Sequence, residues 1–310
     1  MRARISRFAG GGWTDKMTWG NISRRGLFKM GARVMLAGVL GKGIYNTSSR
    51  QIEAARSSIM LENLPETFKG FKIAFLTDLH ASFIANNSLY EAAGRIVREF
   101  APDIIAFGGD FITGSTKFLS GSVGGFDPKH LNECVEAFGN LSAPHGVYCV
   151  LGNHDCWGGA QEREVVIKTL ADRFGAVWLR NQSVRISKGG GTIHLLGVDD
   201  YWEDTCSLPK AYGRLPKKDV KILLSHNPDI NAEIFPAMGV DLVLAGHTHG
   251  GQVRLPIIGM PLLPSKFGQK YLSGAVRDGK RTTYVSRGIG HLLAPVRINC
   301  DPEVTLITLA

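Results

Sequence analysis

The sequence has no obvious means of pairing its cysteines. Five are present (Cys134, Cys149, Cys156, Cys206 and Cys300), an odd number with no Cys-x-x-Cys spacing. That excludes a complete disulfide framework and a zinc-thiolate site, and leaves them as small buried hydrophobes. No internal repeat is visible. Long apolar runs are also missing near the start: residues 34–40 are hemmed in by Arg33 and Lys42, far short of the roughly 20 residues needed to span a bilayer. Acids are scarce in residues 1–50, where Asp15 stands against ten basic residues. Subtracting these from the totals of 36 Lys+Arg and 27 Asp+Glu leaves 26 of each sign, so the net charge of +9 belongs to the leader and the body is neutral. A nucleic-acid partner is therefore not expected. The 44% hydrophobic content, 9% of the chain being aromatic, supplies material for a core.

The leader carries Ser23-Arg24-Arg25-Gly26-Leu27-Phe28-Lys29 ahead of a mildly apolar stretch, 30–44. This resembles a twin-arginine export signal, with Leu27 and Phe28 in swapped order and no clean Ala-x-Ala cleavage site after it. The expectation is export by the twin-arginine machinery to a periplasmic or membrane-associated place. The alternative is a basic N-terminus lying on the cytoplasmic face of the inner membrane. Residues 1–60 are read as leader and linker, and 61–310 as the catalytic domain.

Beyond residue 61, short β-branched runs alternate with helix-like segments. Strands are expected at 71–77, 103–107, 146–151, 192–198, 221–225, 241–245, 282–286 and 304–309. Helices are expected at 87–100, 129–141, 161–174 and 229–238. Such alternation implies an α/β layered fold. The Gly/Ser/Pro-rich stretches 114–125 and 255–268 read as long surface loops.

Five of the apolar runs end in groups able to hold a metal. They lead to Asp78-Leu79-His80, to Asp110, to Gly152-Asn153-His154-Asp155, to His226 and to Gly246-His247-Thr248-His249. In open α/β sheets, sites form beyond the carboxyl ends of strands, so these groups are expected at one rim. Carboxylate, imidazole and amide oxygen suit Mn, Fe, Zn or Mg. The set exceeds the needs of one ion and suits two ions sharing a carboxylate.

Asp78-x-His80, Gly109-Asp110, Gly152-Asn153-His154-Asp155, His226 and Gly246-His247-x-His249 resemble, in order and spacing, the five motifs of the calcineurin-like metallophosphoesterase superfamily. The stretches from Gly246 to Gln252 and from Ser286 to Gly290 are similar to its bacterial branch with twin-arginine leaders or membrane anchors. The resemblance implies two mixed β-sheets packed as a sandwich flanked by helices. It implies that Asp78, His80 and His249 hold one ion, that Asn153, His226 and His247 hold the other, and that Asp110 bridges them. It also implies attack by metal-bound hydroxide on a phosphodiester or pyrophosphate in an envelope or lipid-linked substrate, with His154 stabilising the transition state or protonating the leaving oxygen. Many members have a second Asp where this chain has Thr113. Asp155 is the substitute candidate for orienting His154.

Arg254 and Arg287 are candidates to clamp substrate phosphate, with surface salt bridges as the alternative. His145, His194, His291, Asp199 and Asp200 are expected to be structural, and Trp202 and Phe83 to pack in the core; the alternatives are that the two aspartates approach the site and that the two aromatics line a hydrophobic pocket. Two other readings remain open. One is a UDP-2,3-diacylglucosamine-type pyrophosphatase of lipid A synthesis, whose chemistry faces the cytoplasm. The other is a non-catalytic metal-binding scaffold, although such proteins usually lose ligands and none is missing here.

Overall fold

Side chains alternate across a strand, so a strand covered on both faces reads as an unbroken apolar run. The chain follows this rule wherever a strand is central. The computed structural model describes residues 51–114, 126–203, 205–254, 260, 263–292 and 295–310. The paired arginines and apolar run of the leader lie outside them, as do most of 114–125 and part of 255–268.

Along the chain come β1 (Glu53–Ile59), β2 (Lys72–Leu76), α1 (Asn87–Phe100), β3 (Ile104–Phe107), α2 (Pro128–Phe138) and β4 (Val147–Cys149). Then follow α3 (Asn153–Trp157), α4 (Ala160–Phe174), β5 (Val177–Trp178), β6 (Gln182–Lys188), β7 (Gly191–Gly197) and α5 (Leu208–Tyr212). β8 (Val220–Leu224), β9 (Leu242–Ala245), β10 (Gly274–Asp278), β11 (Arg281–Val285) and β12 (Glu303–Leu309) complete the set. One sheet has the order β1-β12-β2-β3-β4-β5 and the other β10-β11-β9-β8-β7-β6. In the first, only the β12–β2 pair is antiparallel. In the second, the outer pairs β10–β11 and β6–β7 are antiparallel around a parallel centre.

The two mixed sheets share a core. Ile73 and Phe75 of β2 meet Leu195, Ile222, Leu224, Leu242 and Leu244 of the other sheet. The alternate residues Ala74 and Leu76 turn outward onto α1, α2 and α4, through Leu89, Val97, Phe138 and Leu170. Leu196, Leu223 and Val243 of the second sheet are covered by Leu208, Ile230 and Ile234. Among the described residues no helix is long and apolar enough to cross a membrane.

All eight expected strands are present as β2, β3, β4, β7, β8, β9, β11 and β12, shifted by a residue or two at their ends. The four strands that the periodicity does not reveal, β1, β5, β6 and β10, are the four sheet edges. An edge strand is half solvated, so its residues do not form an apolar run. β1 lies before Leu61, yet pairs residue for residue with β12 from Glu53↔Glu303 to Ile59↔Leu309. The helix expected at 229–238 is instead two 3-10 segments, Pro228–Glu233 and Pro236–Met238. Ile234 is already extended, at ψ 102°, and Pro236, which offers no N–H, keeps Phe235 extended at ψ 145°, so the two segments do not join.

A chain beginning at Leu61 is expected to melt at least about 5 °C below one beginning at Gln51, because it loses the β1 ladder and the buried Ile59. Thermal unfolding followed by circular dichroism reads this difference; equal midpoints would place β1 outside the folding unit.

Candidate metal centre

Strands β2, β3 and β4 of one sheet and β8 and β9 of the other deliver polar groups to a common rim. The backbone there is unusual. Asp78, His80, Asp110, His247 and His249 have φ of 54°, 48°, 53°, 70° and 51°. A left-handed conformation costs a non-glycine residue about 1–2 kcal/mol, and five together at one rim mark a functional site. The turns are held by backbone bonds between strands: Asp78 N donates to Gly109 O (3.0 Å), His80 N to Asp110 O (3.0 Å), and Gly246 N to His226 O (2.9 Å). Gly246 is needed for space, since a methyl group there would overlap Asp78 Oδ2.

The side chains form a continuous line across the seam between the sheets. Asp78 Oδ1 lies 3.3 Å from His249 Nε2, which lies 2.9 Å from His80 Nε2. His80 Nε2 lies 3.6 Å from Asp110 Oδ2, which lies 3.1 Å from His226 Nε2. His226 Nε2 is 3.2 Å from His247 Nδ1. All six residues are buried. Metal bonds of about 2.1 Å set neighbouring ligand atoms of one ion about 3 Å apart, which is the spacing found here. Asp78, His80 and His249 make one compact triad, and Asp110, His226 and His247 a second. Asn153 Oδ1 is buried with no donor from the protein, as an amide oxygen reserved for a cation would be. The donor set therefore fits two divalent ions.

His80, Asp110 and His154 also approach one another closely. A third ion there would have to share His80 and Asp110 with the other two groups. His154 is better accounted for otherwise: its Nδ1 lies 2.7 Å from the backbone carbonyl of Thr113. The residue that replaces the usual second Asp thus orients His154 through its main chain. Asp155 does not take over that task. Its carboxylate accepts from the backbone N–H groups of Asp110 (2.8 Å), Phe111 (2.8 Å), Ile112 (3.3 Å) and Gly152 (2.9 Å), pinning the loop that carries the shared ligand.

The electrostatics suit a cation. Burial holds His80 and His249 well below the usual imidazole range and His247 down to about 3, so these rings are neutral. Burial lifts Asp78 to about 6. Asp110 is different: burial would raise it, but His226, His154 and His80 together outweigh burial and hold it well below the carboxylate range. His226 is the counterpart: burial would lower it, but Asp110 raises it to about 10. His226 Nδ1 lies 2.8 Å from Gly108 O, which aims Nε2 at the centre.

The arginines depart from expectation. Arg287 is committed to carboxylates, donating through Nη2 to Glu53 (2.6 Å) and through Nε to Glu303. Arg254 donates to Gly250 O and Ser273 Oγ, both at 2.6 Å, and so braces the turn after His249. The charge of Arg287 is thus matched within the fold, whereas the partners of Arg254 are neutral oxygens. A third arginine, Arg297, carries no sequence signal and also braces the ligand turns. It is 2% exposed and donates to the carbonyls of Gly290 (2.6 Å), Arg287 (2.9 Å) and Gly288 (3.2 Å). That holds the segment whose Gly290 N donates to Asp78 O (2.8 Å). His194 pairs with Asp219 at 3.0 Å, and Asp199 with Arg180 at 2.9 Å, both structural arrangements. Phe83 is 58% exposed and Trp202 half-buried outside every apolar cluster, so neither packs in the core.

Residues 71–251 match the calcineurin-like phosphoesterase family. The chain is 35% identical over 244 residues to the phosphodiesterase YaeI of Escherichia coli (strain K12), an alignment covering 77% of this chain and 82% of that one. It is 30% identical over 296 residues to the uncharacterized metallophosphoesterase YkuE of Bacillus subtilis (strain 168), covering 93% of this chain and 98% of the relative. The chain belongs to the calcineurin-like phosphoesterase family. It is a metal-dependent phosphoesterase whose cofactors are two divalent metal ions.

Asp155→Ala leaves four backbone N–H groups without their acceptor. It is expected to cost about 3 kcal/mol or more in denaturant unfolding, and about 10–100-fold in metal affinity by calorimetry. Native-like values in both would show that the loop holds itself. The pH dependence of metal uptake follows from His226, which holds its proton up to about 10. A cation needs the bare Nε2, so uptake expels that proton. Affinity should therefore rise with pH, by about tenfold per unit between about pH 7 and 9. A flat profile would contradict the His226–Asp110 ion pair.

Proposed function

We propose that this chain hydrolyses phosphate diesters of the cell envelope, water attacking phosphorus in line with the departing ester oxygen. The observation that carries the reading is the place of Asp110 Oδ2, between His80 Nε2 at 3.6 Å and His226 Nε2 at 3.1 Å, where one oxygen serves both triads. Asp78, His80 and His249 would hold one ion, Asn153, His226 and His247 the other, and Asp110 both. Two divalent ions supply Lewis acidity toward the phosphoryl oxygens and lower the pKa of water toward neutrality.

The rest is the work of the protein's own groups. The seven ligands would fix the positions of the two ions, and through them where the phosphoryl oxygens could sit. His154, its Nδ1 donating to Thr113 O, presents Nε2 to the site, where it would act as the general acid toward the leaving oxygen. A diester brings a single negative charge, and this is favoured over a doubly charged monoester because Arg287, one of the two arginines expected near substrate phosphate, is matched by Glu53 and Glu303. The relative named as a phosphodiesterase supports the same choice. The envelope location rests on the twin-arginine-like leader, and the neutral body supports a substrate other than nucleic acid.

Two variants test the assignment. Asp110→Asn should fall below about a hundredth of the native rate on every diester, since it weakens a ligand common to both ions. His154→Ala should lower kcat on glycerophosphoethanolamine by about 10²–10⁴-fold, and far less on bis(p-nitrophenyl) phosphate, because p-nitrophenolate departs without a proton. Equal losses on the two substrates would remove His154 as the acid. Faster turnover of a pyrophosphate-linked lipid than of any diester would overturn the diester reading.

A further inference from the structure

Two indoles lie against the metal centre and belong to none of the apolar clusters. Trp157 ends α3, and its ring centroid stands 4.7 Å from that of His154. Trp202 follows β7 and stands 4.4 Å from His247, with the ring planes at 89°. The indoles themselves are 6.1 Å apart and nearly parallel, at 11°. They come from different sheets: Trp157 lies beyond β4 and Trp202 beyond β7. The two rings stack with an offset across the seam, on the side of His154 and the second triad, and the open surface of Trp157 makes this stacked pair a shelf there. Trp157 keeps 40% of its surface open, in a protein whose large apolar side chains are mostly covered.

The loop carrying Trp202 is braced. Asp199, which pairs with Arg180, donates its backbone N–H to Asn181 Oδ1 (3.2 Å), and Ser207 N donates to the same oxygen (2.8 Å). Asp200 is fully buried and accepts from Trp202 N (2.9 Å). A side chain filling space needs no such scaffold, whereas a recognition surface must be preorganised.

We propose that the Trp157–Trp202 shelf seats a planar, apolar substituent of the phosphate diester, and so sets which diesters the site accepts. This rests on the phosphoesterase site being the place of catalysis. The reason for a planar group is the shape and charge of the indole face. Its quadrupole and flatness favour another flat ring over a saturated group of equal size. The shelf adjoins His154 and His247, so the ring lies beside the second triad while the phosphoryl group lies between the two.

The test separates the shelf from turnover. Calorimetry on the manganese-loaded full chain compares phenylphosphonate with cyclohexylphosphonate, of like size and charge but not flat. The native protein should prefer phenyl by about tenfold. Trp157→Ala should abolish the preference and Trp157→Phe retain it, with metal content and melting temperature unchanged. No preference in the native protein, or one that survives Trp157→Ala, would overturn the shelf; so would a failure of both phosphonates to bind. Hydrolysis of bis(p-nitrophenyl) phosphate, read on the same preparation, reports separately on the diesterase function. A protein that distinguishes the phosphonates but hydrolyses no diester keeps the shelf and loses the proposed reaction.

Discussion

Two imidazole nitrogens, His80 Nε2 and His249 Nε2, stand 2.9 Å apart in a site whose burial keeps both rings neutral. In such a pair only one nitrogen can donate, and burial denies the rest of the site compensating water. Two carboxylates, Asp78 and Asp110, are buried in the same space. A cation is the group that satisfies all of them at once, and much of the surrounding structure serves to hold this arrangement. Left-handed backbone at five ligands, the four N–H groups gathered by Asp155, and the carbonyls gathered by buried Arg297 all fix turns that would relax if left alone.

The centre also joins the two halves of the sandwich. Asp78, His80, Asp110 and Asn153 come from the ends of β2, β3 and β4, while His226, His247 and His249 come from β8 and β9. Ligands from both sheets meet at Asp110 and His226, so ions bound there tie the leaves of the sandwich at one rim. The same seam carries the Trp157–Trp202 pair. Catalytic geometry and substrate contact therefore depend on the relative position of the two sheets, which their shared core of Phe75, Leu224 and Leu244 sets.

Much of this was legible in the residues themselves. Strands covered on both faces show as apolar runs, and metal-binding groups at the ends of five such runs pointed to one rim. The four edge strands were not legible, because half-solvated residues such as those of β1 carry no apolar run. The segment at 229–238 had helical periodicity, but Pro236 broke it. Arg254 and Arg287 sit near the last motifs, which suggested phosphate binding. Their partners, Gly250 O and Ser273 in one case and Glu53 and Glu303 in the other, are set by tertiary contacts that local sequence does not encode. Arg297, a lone arginine in an irregular segment, gave no signal. The role of Thr113 was hidden for another reason: it acts through its carbonyl, which every residue has.

The most direct measurement is an anomalous-scattering map from crystals grown with manganese. Two peaks about 3.5–4 Å apart are expected. One should lie among Asp78, His80 and His249, the other among Asn153, His226 and His247, with Asp110 touching both. A single peak, or peaks that leave Asp110 Oδ2 in contact with neither, would contradict the dinuclear centre.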